Sequence, residues 1–212
     1  MPCSCRQWRM RSSTCCWRGV SDFKVLYIYT VLLQKASVFL RPGNQEKATE
    51  IAPVATGKDV MLVGTADFTL GEAVAEVLEA HVRAGGGRFR GIRQSAAWAP
   101  AGEAIASRMA PPHLYMDAKF RAGYAQLARF NMIFEGWCYH HQIKELTDLA
   151  RAFPDITIIL DHFGGPLGVG PYAGKREEML PSWRQDVTEL AKCANVVAKL
   201  GGINMSINGF GW

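Results

Sequence analysis

No stretch of this chain is apolar for long enough to cross a membrane. The longest such run, Val25 to Leu33 (VLYIYTVLL), is nine residues, and a spanning helix needs about 20. Basic residues precede it as in a signal sequence, but Asp22 interrupts them and no small-x-small cleavage site follows Leu33. A buried strand is expected there. Cysteine is scarce where a disulfide scaffold would need it. Of the six, Cys3, Cys5, Cys15 and Cys16 crowd the start and only Cys138 and Cys193 fall in the rest. C-x-C followed by C-C fits no zinc-finger or ribbon spacing, so a reducing, cytoplasmic compartment is expected. The body also lacks a charge surplus. Residues 1 to 24 hold +4 of the net +5, which leaves +1 for all that follows. A nucleic-acid partner is therefore not expected. Finally, there is no phosphate loop: GPYAGKR places Val169 where the first glycine should stand, and no Ser or Thr follows Lys175.

What is present is a globular composition, 49% hydrophobic and 20% charged over 212 residues, enough for one core. Two parts are expected: a leader, residues 1 to 45, poorly ordered apart from its one apolar strand-like run, and a body, 46 to 212. Arg41 to Lys58 reads as a surface connection. From there strand and helix patterns alternate. Strands are predicted at Val60–Val63, Phe89–Arg93, Ile133–Cys138, Ile156–Leu160 and Val196–Leu200. Helices are predicted at Leu70–Val82 (closed by Gly85 to Gly87), Phe120–Phe130, His141–Phe153 and Trp183–Cys193. Strand starts about 24 to 44 residues apart are the spacing of βα units, hence a parallel α/β sheet covered by helices. A doubly wound sheet and a (β/α)8 barrel both fit that rhythm. Ligands bind beyond the carboxyl ends of the strands in either architecture.

Four side chains of chemical interest fall at such ends: Arg93, His140, His162 and Lys199. One site assembled from many strand ends is the habit of the barrel. Imidazole suits proton transfer and metal ligation near neutral pH, so His162 and His140 are the candidate catalytic residues and the candidate metal ligands. Neighbours on an extended chain point oppositely, and of the adjacent pair His140 is favoured over His141 for the mouth. Arg93 and Lys199 could hold a substrate carboxylate or an oxyanion, or, for Lys199, form an ion pair across the rim. Tyr172 and, more weakly, Trp98 could line a pocket from the loops. His81, late in a helix, and His113, in a proline-rich loop, are expected at the solvated surface. The glycine-rich loop from Gly164 to Gly174 reads as a flexible cover over the mouth.

The segments GTADFTLG, FRGIRQSAAW, WCYHHQ, LARAFPDITIILDHFGGPLGVGPYAG and NVVAKLGGINM, which together span about residues 60 to 212, resemble the amidohydrolase-related family of predicted metal-dependent hydrolases, in its lactonase-like branch. The resemblance implies a TIM-type (β/α)8 barrel and hydrolysis of a lactone or related ester or amide by attack of an activated water on a small-molecule substrate. It also implies a divalent metal such as zinc, although some lactonases of this group act without one. His140 matches the histidine after the family's fifth strand, His162 that after the sixth, and Arg93 the strand-four arginine. Gln94 and Ala99 stand where relatives often have histidine and aspartate. No H-x-H occurs in the sequence, and it ends at Trp212, before the family's eighth-strand aspartate. An incomplete barrel is therefore expected, with reduced or absent activity. A non-catalytic truncated product or pseudoenzyme is the alternative. Open edges on such a barrel would favour association into a homo-oligomer.

Overall fold

A computed structural model describes residues 24–26, 61–100, 105, 110–199 and 201–209. Six strands form one sheet: β1 (Lys24–Leu26), β2 (Leu62–Gly64), β3 (Phe89–Ser95), β4 (Ile133–Trp137), β5 (Ile158–Leu160) and β6 (Val196–Lys199). Every pairing is parallel, in the order β1-β6-β5-β4-β3-β2. From β2 to β6 neighbours in space are neighbours in sequence. A doubly wound sheet reverses its strand order part-way; here there is no reversal, and the fold is part of a TIM-type α/β barrel. β1 lies on the far side of β6, with Val25 opposite Ala198. The rest of the apolar run Val25 to Leu33, like the connection Arg41 to Lys58, lies outside the described residues.

Between the strands run α1 (Val74–Gly85), α2 (Ala118–Arg129), α3 (Ile143–Ala152) and α4 (Arg176–Ala191). A 3-10 turn over Phe68–Ala73, capped by the Asp67 side chain, precedes α1 in place of the predicted helical start. Gly86, left-handed at φ 54°, closes α1, a conformation in which an L-residue is strained. Asp117 caps α2 by accepting from Phe120 N at 2.7 Å. The last helix begins at Arg176 rather than Trp183 and passes through Pro181. Proline removes one N–H from the ladder without ending it, and Glu177 and Glu178 in the first turn suit the positive end of the helix dipole.

The register sorts the strand residues onto two faces. Ile92, Phe134, Ile158, Leu160, Val196 and Ala198 face the helices and form the main core with Leu78, Phe120, Tyr124, Leu146 and Leu190. At its centre Phe68, Phe120, Tyr124 and Phe134 meet ring to ring at 5.1–6.4 Å. His81 belongs to this packed region, contrary to the expected surface position. Its ring stacks on Phe89 at 4.6 Å, its Nε2 meets the Thr65 carbonyl at 3.0 Å, and burial lowers its pKa. The opposite face, the inside of the barrel, carries Arg93, Glu135, Ile159 and Val197 at one level, with Trp137, Asp161 and Lys199 one step further on.

Candidate active site

Four charged side chains from four successive strands form the floor. Arg93 Nε lies 2.7 Å from Glu135 Oε2, and its Nη2 is 2.9 Å from Asp161 Oδ2. Lys199 Nζ lies 2.7 Å from Glu135 Oε1 and 2.9 Å from Asp161 Oδ1. Glu135, Asp161 and Lys199 are buried, whereas 38% of the Arg93 side chain is exposed. Two cations and two carboxylates balance, which is what makes their burial affordable in free energy. Burial pushes the Asp161 carboxyl up, Arg93 and Lys199 pull it back, and Glu135 pushes it up again. Of the two cations expected to meet substrate, Lys199 is thus buried among its partners, and Arg93 stays partly exposed.

Above the floor stand the imidazoles and a group of aromatic rings. His162, directly after Asp161, packs edge-on against Trp137 at 5.1 Å. Its Nδ1 lies 3.1 Å from the Gly201 carbonyl. A carbonyl only accepts, so Nδ1 carries the hydrogen and Nε2 of the neutral ring keeps a bare lone pair. Gly202 lies close against the same ring: a Cβ there would come 2.0 Å from Nδ1.

His140 sits deeper. Leu167 N–H donates to its Nδ1 at 3.3 Å, while the nearby Gly165 carbonyl accepts the His140 backbone N–H. Nδ1 is therefore the acceptor and Nε2 the donor in the neutral ring. Burial first, then the neighbouring His141, lowers its pKa to about 4, so it stays neutral at pH 7. Tyr172 meets the His140 ring edge-on at 5.2 Å and lies parallel to His141 at 6.3 Å. The two site histidines are joined through rings in contact, His162 to Trp137 to Tyr139 to His141 to His140. All stand at or beyond the carboxyl ends of β4 and β5.

The His141 Nε2 lies 2.9 Å from the Trp98 carbonyl. Trp98 packs against His141 and His113. His113 is exposed and paired with Glu145 at 2.8 Å. Gln94 accepts from Phe68 N at 2.8 Å and donates to Asp67. Ala99 is buried with Ala97, Tyr139 and Leu167 in a small cluster under the loops, against which Tyr172, Val169 and Ile207 pack.

Three of the residues that shape the site escaped the sequence reading. Glu135 is the lone charge in the strand IFEGW, a signal that could have marked it. Asp161 follows directly on the apolar run of β5. Gln142 is nearly fully buried, and its amide bonds to Ala96 O (2.7 Å), Trp98 N (3.0 Å) and Tyr139 N (3.2 Å), which ties the exit of β3 to that of β4. Nothing in its sequence context distinguishes it from a surface glutamine.

The amidohydrolase family model matches residues 21–211. The chain belongs to the amidohydrolase family. The match reaches back to residue 21, well before the first of the quoted motifs at Gly64. An amidohydrolase from Burkholderia multivorans solved with bound zinc superposes with a TM-score of 0.51 at 22% identity, over 68% of this chain and 44% of that one. A second structure, solved with bound HEPES, superposes with a TM-score of 0.55 at 23% identity, over 76% and 52%. These establish the likeness of fold. The uncharacterized protein y4mH of Sinorhizobium fredii is 33% identical over 144 residues, 68% of this chain and 44% of its own length. The amidohydrolase chain thus spans about half the length of the relatives it matches. Among the described residues no helix is long and apolar enough to cross a membrane.

Proposed function

We propose that this amidohydrolase carries part of a site that hydrolyses a lactone or a related small carbonyl compound by attack of an activated water. The observation that supports it best is that two imidazoles with opposite hydrogen-bonding roles at Nδ1 stand beyond the ends of β4 and β5. His162 offers a bare Nε2 that can take a proton from water, and His140 offers an Nε2–H that can polarise a carbonyl. The lowered pKa of His140 keeps it a neutral donor at pH 7. Arg93 and Tyr172 are assigned to substrate contact, Arg93 because its side chain is the most exposed of the four charged groups. Lys199 acts beneath them, by holding Glu135 and Asp161.

A divalent metal such as zinc is the cofactor that the family resemblance implies, with His162 and His140 as its ligands. Catalytic zinc is held by three protein ligands. Among the described residues no three His, Cys, Asp or Glu side chains are grouped to hold a metal, and Asp161, the carboxylate nearest His162 in sequence, is engaged by Arg93 and Lys199. These residues do not fit a zinc site by themselves, and no step here passes through a metal.

The test is hydrolysis of simple aldonolactones by the purified chain, with and without added zinc, beside His162→Ala and His140→Ala. Loss of a general base or acid lowers the rate about 10²- to 10⁴-fold, and that is the expected result for either variant. A native chain no faster than buffer would overturn the hydrolase reading in favour of a non-catalytic relative, the alternative favoured by the lack of three grouped metal-ligating side chains among the described residues.

A further inference from the structure

Four consecutive residues after β5 are left-handed. His162 (φ 50°, ψ 34°) and Phe163 (φ 54°, ψ 30°) are followed by Gly164 (φ 68°) and Gly165 (φ 36°). Glycine adopts this conformation freely, but an L-residue is disfavoured there. Two in succession persist only where the surroundings over-determine them. On the side of the sheet, Asp161 is fixed by Arg93 and Lys199, and Gly165 N–H closes the turn on His162 O at 3.2 Å. Below, Gly164 is pressed on Ile143, where a Cβ would come 2.6 Å from Cδ1. The remaining hold comes from the helical layer: on α4, the Trp183 indole N–H donates to Phe163 O at 2.9 Å.

That turn decides where the chemistry points. It sends Phe163 against the core while His162 goes to the rim, clasped between Trp137 and the Gly201–Gly202 backbone. If the Phe163 peptide relaxed to the right-handed region, its carbonyl would swing away from the indole and the His162 ring would lose its register with Gly201. We propose that Trp183 is a positioning residue: its indole N–H holds Phe163 in the left-handed basin and so fixes His162 with Nδ1–H on the Gly201 carbonyl and Nε2 bare. The assignment rests on His162 being the chemistry-bearing residue, but the tautomer can be read without any turnover.

Imidazole ¹⁵N spectra of the native chain are expected to show His162 mainly as the Nδ1-protonated tautomer. Trp183→Phe keeps a ring in the core and removes the donor, and it should convert that signal to a mixture rich in the Nε2-protonated form. Adding Phe163→Gly, which makes the left-handed conformation free, should restore it. If the chain hydrolyses aldonolactones, kcat should fall about 10- to 100-fold in Trp183→Phe with KM little changed, and recover in the double variant. Proton exchange at the Trp183 indole of the native chain is a check that needs no variant and should be slow. A His162 tautomer untouched by Trp183→Phe, no rescue by glycine, or an indole that exchanges as fast as an exposed one would each overturn the proposal. An inactive native chain with the tautomer responses intact would count against the hydrolase reading and not against Trp183.

Discussion

Glu135 and Lys199 meet across an intervening strand: β5 separates β4 from β6, yet Lys199 Nζ lies 2.7 Å from Glu135 Oε1 and both side chains are buried. The contact works because Asp161 and Arg93 complete a balanced quartet around it. Removing one member leaves a buried charge without its counterpart, and that loss exceeds what the intact pair contributes.

Glu135→Ala is accordingly expected to destabilise the fold by about 3–5 kcal/mol, measured as a shift of the urea midpoint. The paired change Glu135→Gln with Lys199→Met removes both charges at similar volume. It should cost clearly less than the sum of its single changes, and strict additivity would show that the two groups do not interact.

Stability should fall as the solution is acidified below about pH 6.5. His140 has its folded-state pKa lowered to about 4, so between pH 6.5 and 4 the unfolded chain binds a proton that the folded chain excludes. The contribution is complete above 6.5 and is lost as pH drops toward 4, at no more than about 1.4 kcal/mol per unit. His81 and His141 are lowered by burial in the same direction. His140→Gln should therefore flatten the slope without abolishing it, as read by denaturant titrations at several pH values.

Gly123→Ala inverts the usual helix rule. In the middle of an exposed helix this exchange stabilises by about 1 kcal/mol. Here α2 lies so close to the 3-10 turn that a Cβ would come 2.3 Å from the Phe68 carbonyl oxygen. The expected outcome is a loss of about 1–3 kcal/mol, the range for overpacking, seen as a lowered melting temperature.

Gln142→Leu keeps the volume and deletes three hydrogen bonds to backbone groups at the exits of β3 and β4. Each buried group left without a partner costs about 1–3 kcal/mol. A loss of several kcal/mol in chemical denaturation is expected, together with faster amide exchange at Trp98 and Tyr139.

The alternation of strands and helices was legible because hydrophobic period is a local property. Each predicted strand from Val60 onward falls within a residue or two of an observed one, and Gly86 caps α1 within the predicted cluster. Helix starts were less legible. The chain around Pro181 looks like a boundary from composition alone, whereas one missing N–H is too little to end a helix held by its neighbours. His81 misled for a related reason: a lone histidine on a helix gives no sign that Phe89 and the Thr65 carbonyl will enclose it.

The sequence by itself determined that parallel strands would end at a common rim, and with that it placed His140, His162 and Arg93 beyond or near those ends, since which residue ends a strand is written in the order of the chain. Only the tertiary structure decided what each of them could do. Lys199 and Arg93 look alike as cations at strand ends, but their shared partner Glu135, 64 and 42 residues away, meets one buried and the other partly exposed. The tautomers of the two histidines are fixed by the backbone groups of Gly201 and Leu167. Such contacts depend on distances between strands and loops far apart in sequence, which no local pattern of residues encodes.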